Sequence, residues 1–210
     1  QIIAGPIERP QKLLPQIEAP RIWKADYFYE AWPLLVMGLF KKLVIANSIK
    51  VIVGRIFGFS EPTGFLLLCV ALGFTLQILA DFSAYTDLSR GIALLLGFRT
   101  SENFNLPYTS LTPTDFWNRW HITLSTWLRD YVYIPLGGNR HGLKKTIFCL
   151  MATMLIGGLW HGPAWNFVAW GSYHGGLLVA HRWWSDGAAA PARDAGWRVL
   201  LRRLAMFHAA

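Results

Sequence analysis

The chain has 210 residues, of which 53% are hydrophobic and only 15% charged, with a formal net charge of +8. So low a charged share, with apolar residues gathered in long blocks, excludes an ordinary water-soluble domain and predicts an all-α polytopic membrane protein. The excess of Lys and Arg then speaks for cytoplasmic loops facing anionic lipid and not for nucleic acid, and the eleven Trp suit interfacial belts and a channel wall.

The chain opens on Gln1 with no visible leader, and it is read as an internal fragment holding one membrane domain over residues 1–210. Pro6, Pro10, Pro15 and Pro20 predict a loop over residues 1–20. Residues 22–59 are apolar but carry Lys41, Lys42, Lys50 and Arg55. Four cations disfavour a simple span, so the expectation is an amphipathic helix in the interface whose lysines reach the headgroups, with a short span before it as the alternative.

After the turn signal Ser60-Glu61-Pro62-Thr63, Gly64 to Ala80 is just long enough to cross a bilayer. It runs into a polar patch from Asp81 to Arg90 with helical spacing. Either Asp81 or Asp87 faces a water-filled cavity, or the helix end emerges into water; Asp87 and Arg90, three apart, are placed to pair.

A polar loop from Arg99 to Leu111 leads to a helix start with Thr112 as N-cap, Pro113 at the first position and Asp115 at the third. The helix is expected to run to about Tyr133, with Trp117, Trp120, Leu124, Trp127, Leu128 and Tyr131 on one face. His121 falls at the border of that face, near Asn118 and Ser125. Two readings stay open: a helix slanting along a cavity with its polar edge wet, or an interfacial aromatic helix whose His121 meets the headgroups.

Gly137 to Lys145 reads as a basic cytoplasmic turn. Residues 146–180 then contain no Asp, Glu, Lys or Arg, 35 positions in all. As one helix they would extend about 52 Å, too long for one crossing and enough for two short ones, broken at Gly162-Pro163. Both ends of the run are basic, so Lys41-Lys42, Arg140 to Lys145 and Arg182 are all expected on the cytoplasmic side. Residues 185–196 read as a small-residue linker, and Trp197 to Phe207 as an interfacial or incoming helix.

In the middle of the charge-free run stands His161, where irregular backbone is tolerated only if it is packed in protein or lines a cavity. An ionisable side chain there is a functional candidate; the alternative is a structural histidine bonded to a carbonyl. No G-x-S-x-G elbow, H-E-x-x-H pair or zinc spacing is present, and Cys69 and Cys149 sit in apolar runs as buried thiols. His181 and Asp186 form an H-x-x-x-x-D spacing by weak coincidence, while His174 and His181 are expected to pack or snorkel. What remains is His161 in an apolar recess and His121 on an aromatic helix. A neutral histidine in a dry site takes a proton from a hydroxyl near neutral pH, the step that acyl transfer from a thioester to an alcohol requires.

Seven pieces in order resemble the membrane-bound O-acyltransferase (MBOAT) family, in its bacterial alginate O-acetyltransferase-like branch. They are Ala4-Gly5-Pro6-Ile7, Gly38-Leu39-Phe40-Lys41-Lys42, Asp81 to Asp87, Asn103-Phe104-Asn105-Leu106-Pro107-Tyr108, Asp115 to His121, Trp127 through Arg140, and Gly158-Leu159-Trp160-His161-Gly162. Ala84 stands where many relatives carry Gly. The resemblance implies a multi-helix bundle around a funnel or tunnel, of which the family's N-terminal spans and the end of its C-terminal region are missing here. It implies His161 as the active-site histidine and His121 as its second histidine; Asn118, Ser125, Asp81, Asp87 and Trp160 are the candidate supporting cavity residues that the sequence itself offers beside them. It further implies a multi-pass protein of the bacterial inner membrane, an acyl-CoA or acyl-carrier thioester as donor substrate, no permanently bound cofactor or metal, and a periplasmic polysaccharide-modifying partner. Proton transport through intramembrane histidines is the competing reading, though no internal repeat supports it; a structural subunit without chemistry is the third.

Overall fold

The computed structural model describes residues 5–20, 24–185 and 196–209. Among these residues every regular element is helical. Residues 186–195, most of the expected linker, and Asp186 of the H-x-x-x-x-D spacing lie outside the described residues. The chain gathers in two compact units, Gln1–Glu102 and Asn103–Ala210.

The first unit begins with a correction. Residues 10–18, expected as loop, form helix α1 (Pro10–Glu18). Pro10 sits at the first helical position, where a missing N–H costs nothing, and only Pro15 forfeits a helical bond. Tertiary ties offset that loss. The Gln16 amide brackets the backbone of Arg99, Nε2 donating to its carbonyl at 3.1 Å and Oε1 accepting from its N–H at 2.7 Å. Glu8 accepts from the Ser101 N–H and hydroxyl.

Helices α2 (Ala25–Leu39) and α3 (Asn47–Phe57) are joined by a π-helical stretch, Phe40–Ala46, without leaving helical geometry. The widened turn shows in the Asn47 N–H, which donates to the carbonyl of Lys42 five residues back. Here the headgroup-reaching lysines are corrected. Lys41 Nζ donates to Asp87 Oδ2 at 2.7 Å, and Lys42 Nζ to Asp81 Oδ1, so both cations spend their charge on a neighbouring helix. Pairing lowers the cost of holding each ion near apolar surroundings.

That neighbour, α4 (Gly64–Leu95), runs unbroken through the polar patch for 32 residues. Thr63 caps it, its Oγ1 accepting from the Leu66 N–H at 3.4 Å. Asp87 pairs with Lys41 and not with Arg90, which instead reaches Glu102 at 2.9 Å. Two glycines bring α2 and α4 close: a β-carbon on Gly38 would fall 2.8 Å from Leu88 Cγ, and one on Gly91 2.8 Å from Leu35 Cγ. Small residues at a helix contact are the usual device where lipid, not water, surrounds the pair. Phe65, Leu67, Leu68 and Phe74 on α4 stay exposed, as suits a lipid-facing surface.

The second unit is built on the hairpin α7 (Gly142–His161) and α8 (Trp165–Ser185), divided at Gly162-Pro163 as the sequence predicts. Two helices among the described residues are long and apolar enough to cross a membrane, α4 and α7. The α7–α8 contact again runs through glycines. A β-carbon on Gly158 would lie 2.3 Å from the Phe167 carbonyl oxygen, and one on Gly171 2.5 Å from that of Met154. Helix α9 (Gly196–Ala209) packs Phe207 edge-on against Tyr108, with centroids 5.2 Å apart.

The stretch before the hairpin departs from expectation. Instead of one helix to Tyr133 there is α5 (Pro113–Trp117), a break, α6 (Ile122–Leu128) and a π-helical turn, Arg129–Tyr133. Thr112 caps α5 as predicted, its Oγ1 accepting from the Asp115 N–H at 3.0 Å. The break voids the single aromatic face. Trp117 turns to Trp170 and His174, Trp120 stacks with Phe116 and meets Phe104 edge-on, and Trp127 pairs with Tyr131. Gly137 and Gly138, with φ of 115° and 56°, then reverse the chain into α7, a conformation that glycine adopts without strain.

Candidate active site

The break between α5 and α6 falls on His121, one of two residues other than glycine with positive φ among the described residues, at 41°. Backbone strain of this kind persists only where the surroundings over-determine it. His121 is 3% exposed, so its ring is committed to the interior and not to headgroups. It lies edge-on to Trp160, with centroids 6.0 Å apart. Trp160 in turn meets His161 at 5.1 Å. The two histidines, 40 positions apart in sequence (161 − 121), therefore flank one indole.

His161 is the last residue of α7, and its ring is exposed. Past it the chain turns in three residues. The Gly162 N–H donates to the Leu159 carbonyl at 3.2 Å and the Ala164 N–H to the Gly162 carbonyl at 3.0 Å. The imidazole rests against Phe167 and Trp170 of α8, at 6.0 and 5.2 Å. Trp170 leads on to His174 at 4.7 Å, which is 4% exposed and lies flat over Phe116. His174 packs, in line with the sequence expectation.

A cavity of about 690 Å³ opens within the same unit. Asn118 and Ser125 line it, together with Thr146, Leu150 and Thr153 of α7, Arg129, and His181 and Arg182 near the end of α8. His121, Trp160 and His161 are not on its wall, although Ile122, the residue after His121, is. The predicted residues thus divide. His121, Trp160 and His161 come together, Asn118 and Ser125 stand on the cavity, and Asp81 and Asp87 belong to the first unit. There Asp81 shares a recess of about 440 Å³ with Lys42 and Tyr85. Among the described residues no group of three His, Cys, Asp or Glu side chains is placed to hold a metal ion.

Sequence reasoning missed three residues of this neighbourhood. Trp170 and Phe167 wall His161, but their aromatic spacing is that of any membrane hairpin. Asn103, 1% exposed, bonds Thr123 across 20 positions, a link no local pattern signals.

Two imidazoles thus stand around a partly exposed indole, buried on the His121 side and open on the His161 side. The sequence profile of MBOAT, the membrane-bound O-acyltransferase family, matches residues 1–206, and the chain belongs to this family. It is 46% identical to the "Probable alginate O-acetylase AlgI" of Azotobacter vinelandii over 86% of this chain and 36% of that protein. It is 41% identical to the peptidoglycan O-acetyltransferase of Helicobacter pylori over 88% of this chain and 36% of that one. Similarity to the teichoic acid D-alanyltransferase of Bacillus subtilis is 26% over 99% of the chain and 55% of the relative. The chain therefore spans little more than a third of the O-acetylating relatives it matches.

Proposed function

We propose that this chain is the catalytic core of a multi-pass O-acyltransferase of the bacterial inner membrane. It transfers acetyl from a thioester donor, acyl-CoA or an acyl carrier, towards hydroxyls of an exported polysaccharide or of a periplasmic relay partner. The observation that carries this reading is that His121 packs against Trp160, the residue next to His161, across 39 positions of sequence (160 − 121). Family membership and the O-acetylating relatives support the substrate class.

In this reading His161 takes the proton from the acceptor hydroxyl as its oxygen attacks the thioester carbonyl. His121, held rigid, stabilises the developing oxyanion or orients the donor. The thiolate leaves and is protonated, and the ester remains on the acceptor. The cavity lined by Arg129 and Arg182 offers the donor two cationic groups within a largely apolar wall.

The test is labelled acetyl-CoA given to membranes carrying the full chain, with and without the export partners. Label is expected to pass into a base-labile ester only when the chain is present. Proton flux through these membranes with no esterification would replace this reading by the transporter one.

A further inference from the structure

His121 holds a left-handed backbone conformation that a residue with a β-carbon adopts only where neighbours enforce it. The enforcing group is Asn103, the largest fully buried side chain among the described residues, 1% exposed. Its Oδ1 accepts from the Thr123 hydroxyl at 2.8 Å and from the Thr123 N–H at 3.2 Å. Its own carbonyl accepts from the Ile122 N–H at 3.0 Å. Two residues on, the Asn105 N–H donates to the Arg119 carbonyl at 3.0 Å. These bonds grip the chain on both sides of His121. His121, the N-cap of α6, makes no side-chain cap bond, and the first free N–H groups of that helix are met by Asn103 instead.

We propose that Asn103 is a positioning residue for acyl transfer: by capping α6 from a distant segment it fixes the left-handed turn at His121 and so sets the imidazole against Trp160. The assignment rests on the reading that His121 acts in the transfer. Without the Oδ1 acceptor, two donors of Thr123 lose their partner in a buried place, and residue 121 is freed to relax into right-handed geometry. That would carry the imidazole off its station. A displacement of about 1 Å at a reacting group costs up to roughly 10²-fold in rate.

The discriminating variants keep or remove that acceptor. Asn103→Ala removes it. Asn103→Asp retains it, and since Nδ2 has no partner among the described residues, the exchange breaks no hydrogen bond. Thr123→Val removes only the hydroxyl's bond while keeping the side-chain shape. With labelled acetyl-CoA and membranes carrying the full chain, rates are taken per inserted protein. Asn103→Ala is expected to lower kcat about 10²-fold with KM for acetyl-CoA little changed. Asn103→Asp is expected to recover most of that loss, and Thr123→Val to fall between. Wild-type kcat in Asn103→Ala, or a loss that Asp does not restore, overturns the assignment. If Asn103→Ala fails to accumulate, Thr123→Val decides, a lowered kcat at constant KM supporting the assignment and an unchanged kcat refuting it. His121→Ala separates the two levels. A fully active His121→Ala removes the reading of the site and this assignment with it, whereas an inactive His121→Ala beside a fully active Asn103→Ala removes the assignment alone.

Discussion

Replacing His161 by alanine is expected to lower acyl transfer by about 10²–10⁴-fold, the usual contribution of a positioned general base, while the protein still inserts and folds. The expectation of a normal fold comes from the ring's place. His161 ends α7, its side chain is exposed, and it meets Trp160, Phe167 and Trp170 on one side only. His174, in the same charge-free run, differs. It is 4% exposed and wedged between Trp117 and Trp170, so alanine there opens a cavity and lowers stability. Acyl transfer per inserted protein, set against the amount in the membrane, separates the two outcomes. Near wild-type transfer by an inserted His161→Ala protein would remove the proposed base.

Gly171→Ala is expected to be, with Gly158→Ala, among the most damaging single methyls in the second unit. The added β-carbon would fall 2.5 Å from the Met154 carbonyl oxygen and 3.2 Å from Leu155 Cα, both backbone atoms that cannot swing aside. The α7–α8 contact must then open there, at a cost of roughly 1–3 kcal/mol. Gly176, five residues along the same helix, is the internal control, because a β-carbon there meets nothing within 4 Å. Gly176→Ala is expected to leave stability unchanged or to raise it, alanine being better than glycine in a helix by about 1 kcal/mol. Thermal unfolding of the full chain in detergent reads both. Equal midpoints for Gly171→Ala and wild type would mean that the two helices do not meet there.

The hairpin and its break at Gly162-Pro163 were legible because charge-free length and a Gly-Pro pair are local signals. So was the cap at Thr112, written in four consecutive residues. The break at His121 was not. Residues 113–133 carry a helical pattern throughout, and what interrupts it is Asn103, a tertiary partner that no periodicity reveals. Lys41 and Lys42 read as interfacial for the same reason, since their carboxylate partners lie 46 and 39 positions away. Of the candidate site, motif resemblance named His121, Trp160 and His161. Asn118 and Ser125, expected as cavity residues, do stand on a cavity wall, but nothing in the sequence foretold that the two histidines are absent from that wall.

The central claim is that His121 and His161 serve one chemical step. The most direct measurement is acetyl transfer by the double variant His121→Ala/His161→Ala beside each single variant, with labelled acetyl-CoA and membranes carrying the full chain. Groups that act as a unit lose their effect together, so the double variant is predicted to be no slower than the more impaired single one. Losses that multiply would place the two histidines in separate steps and contradict the account.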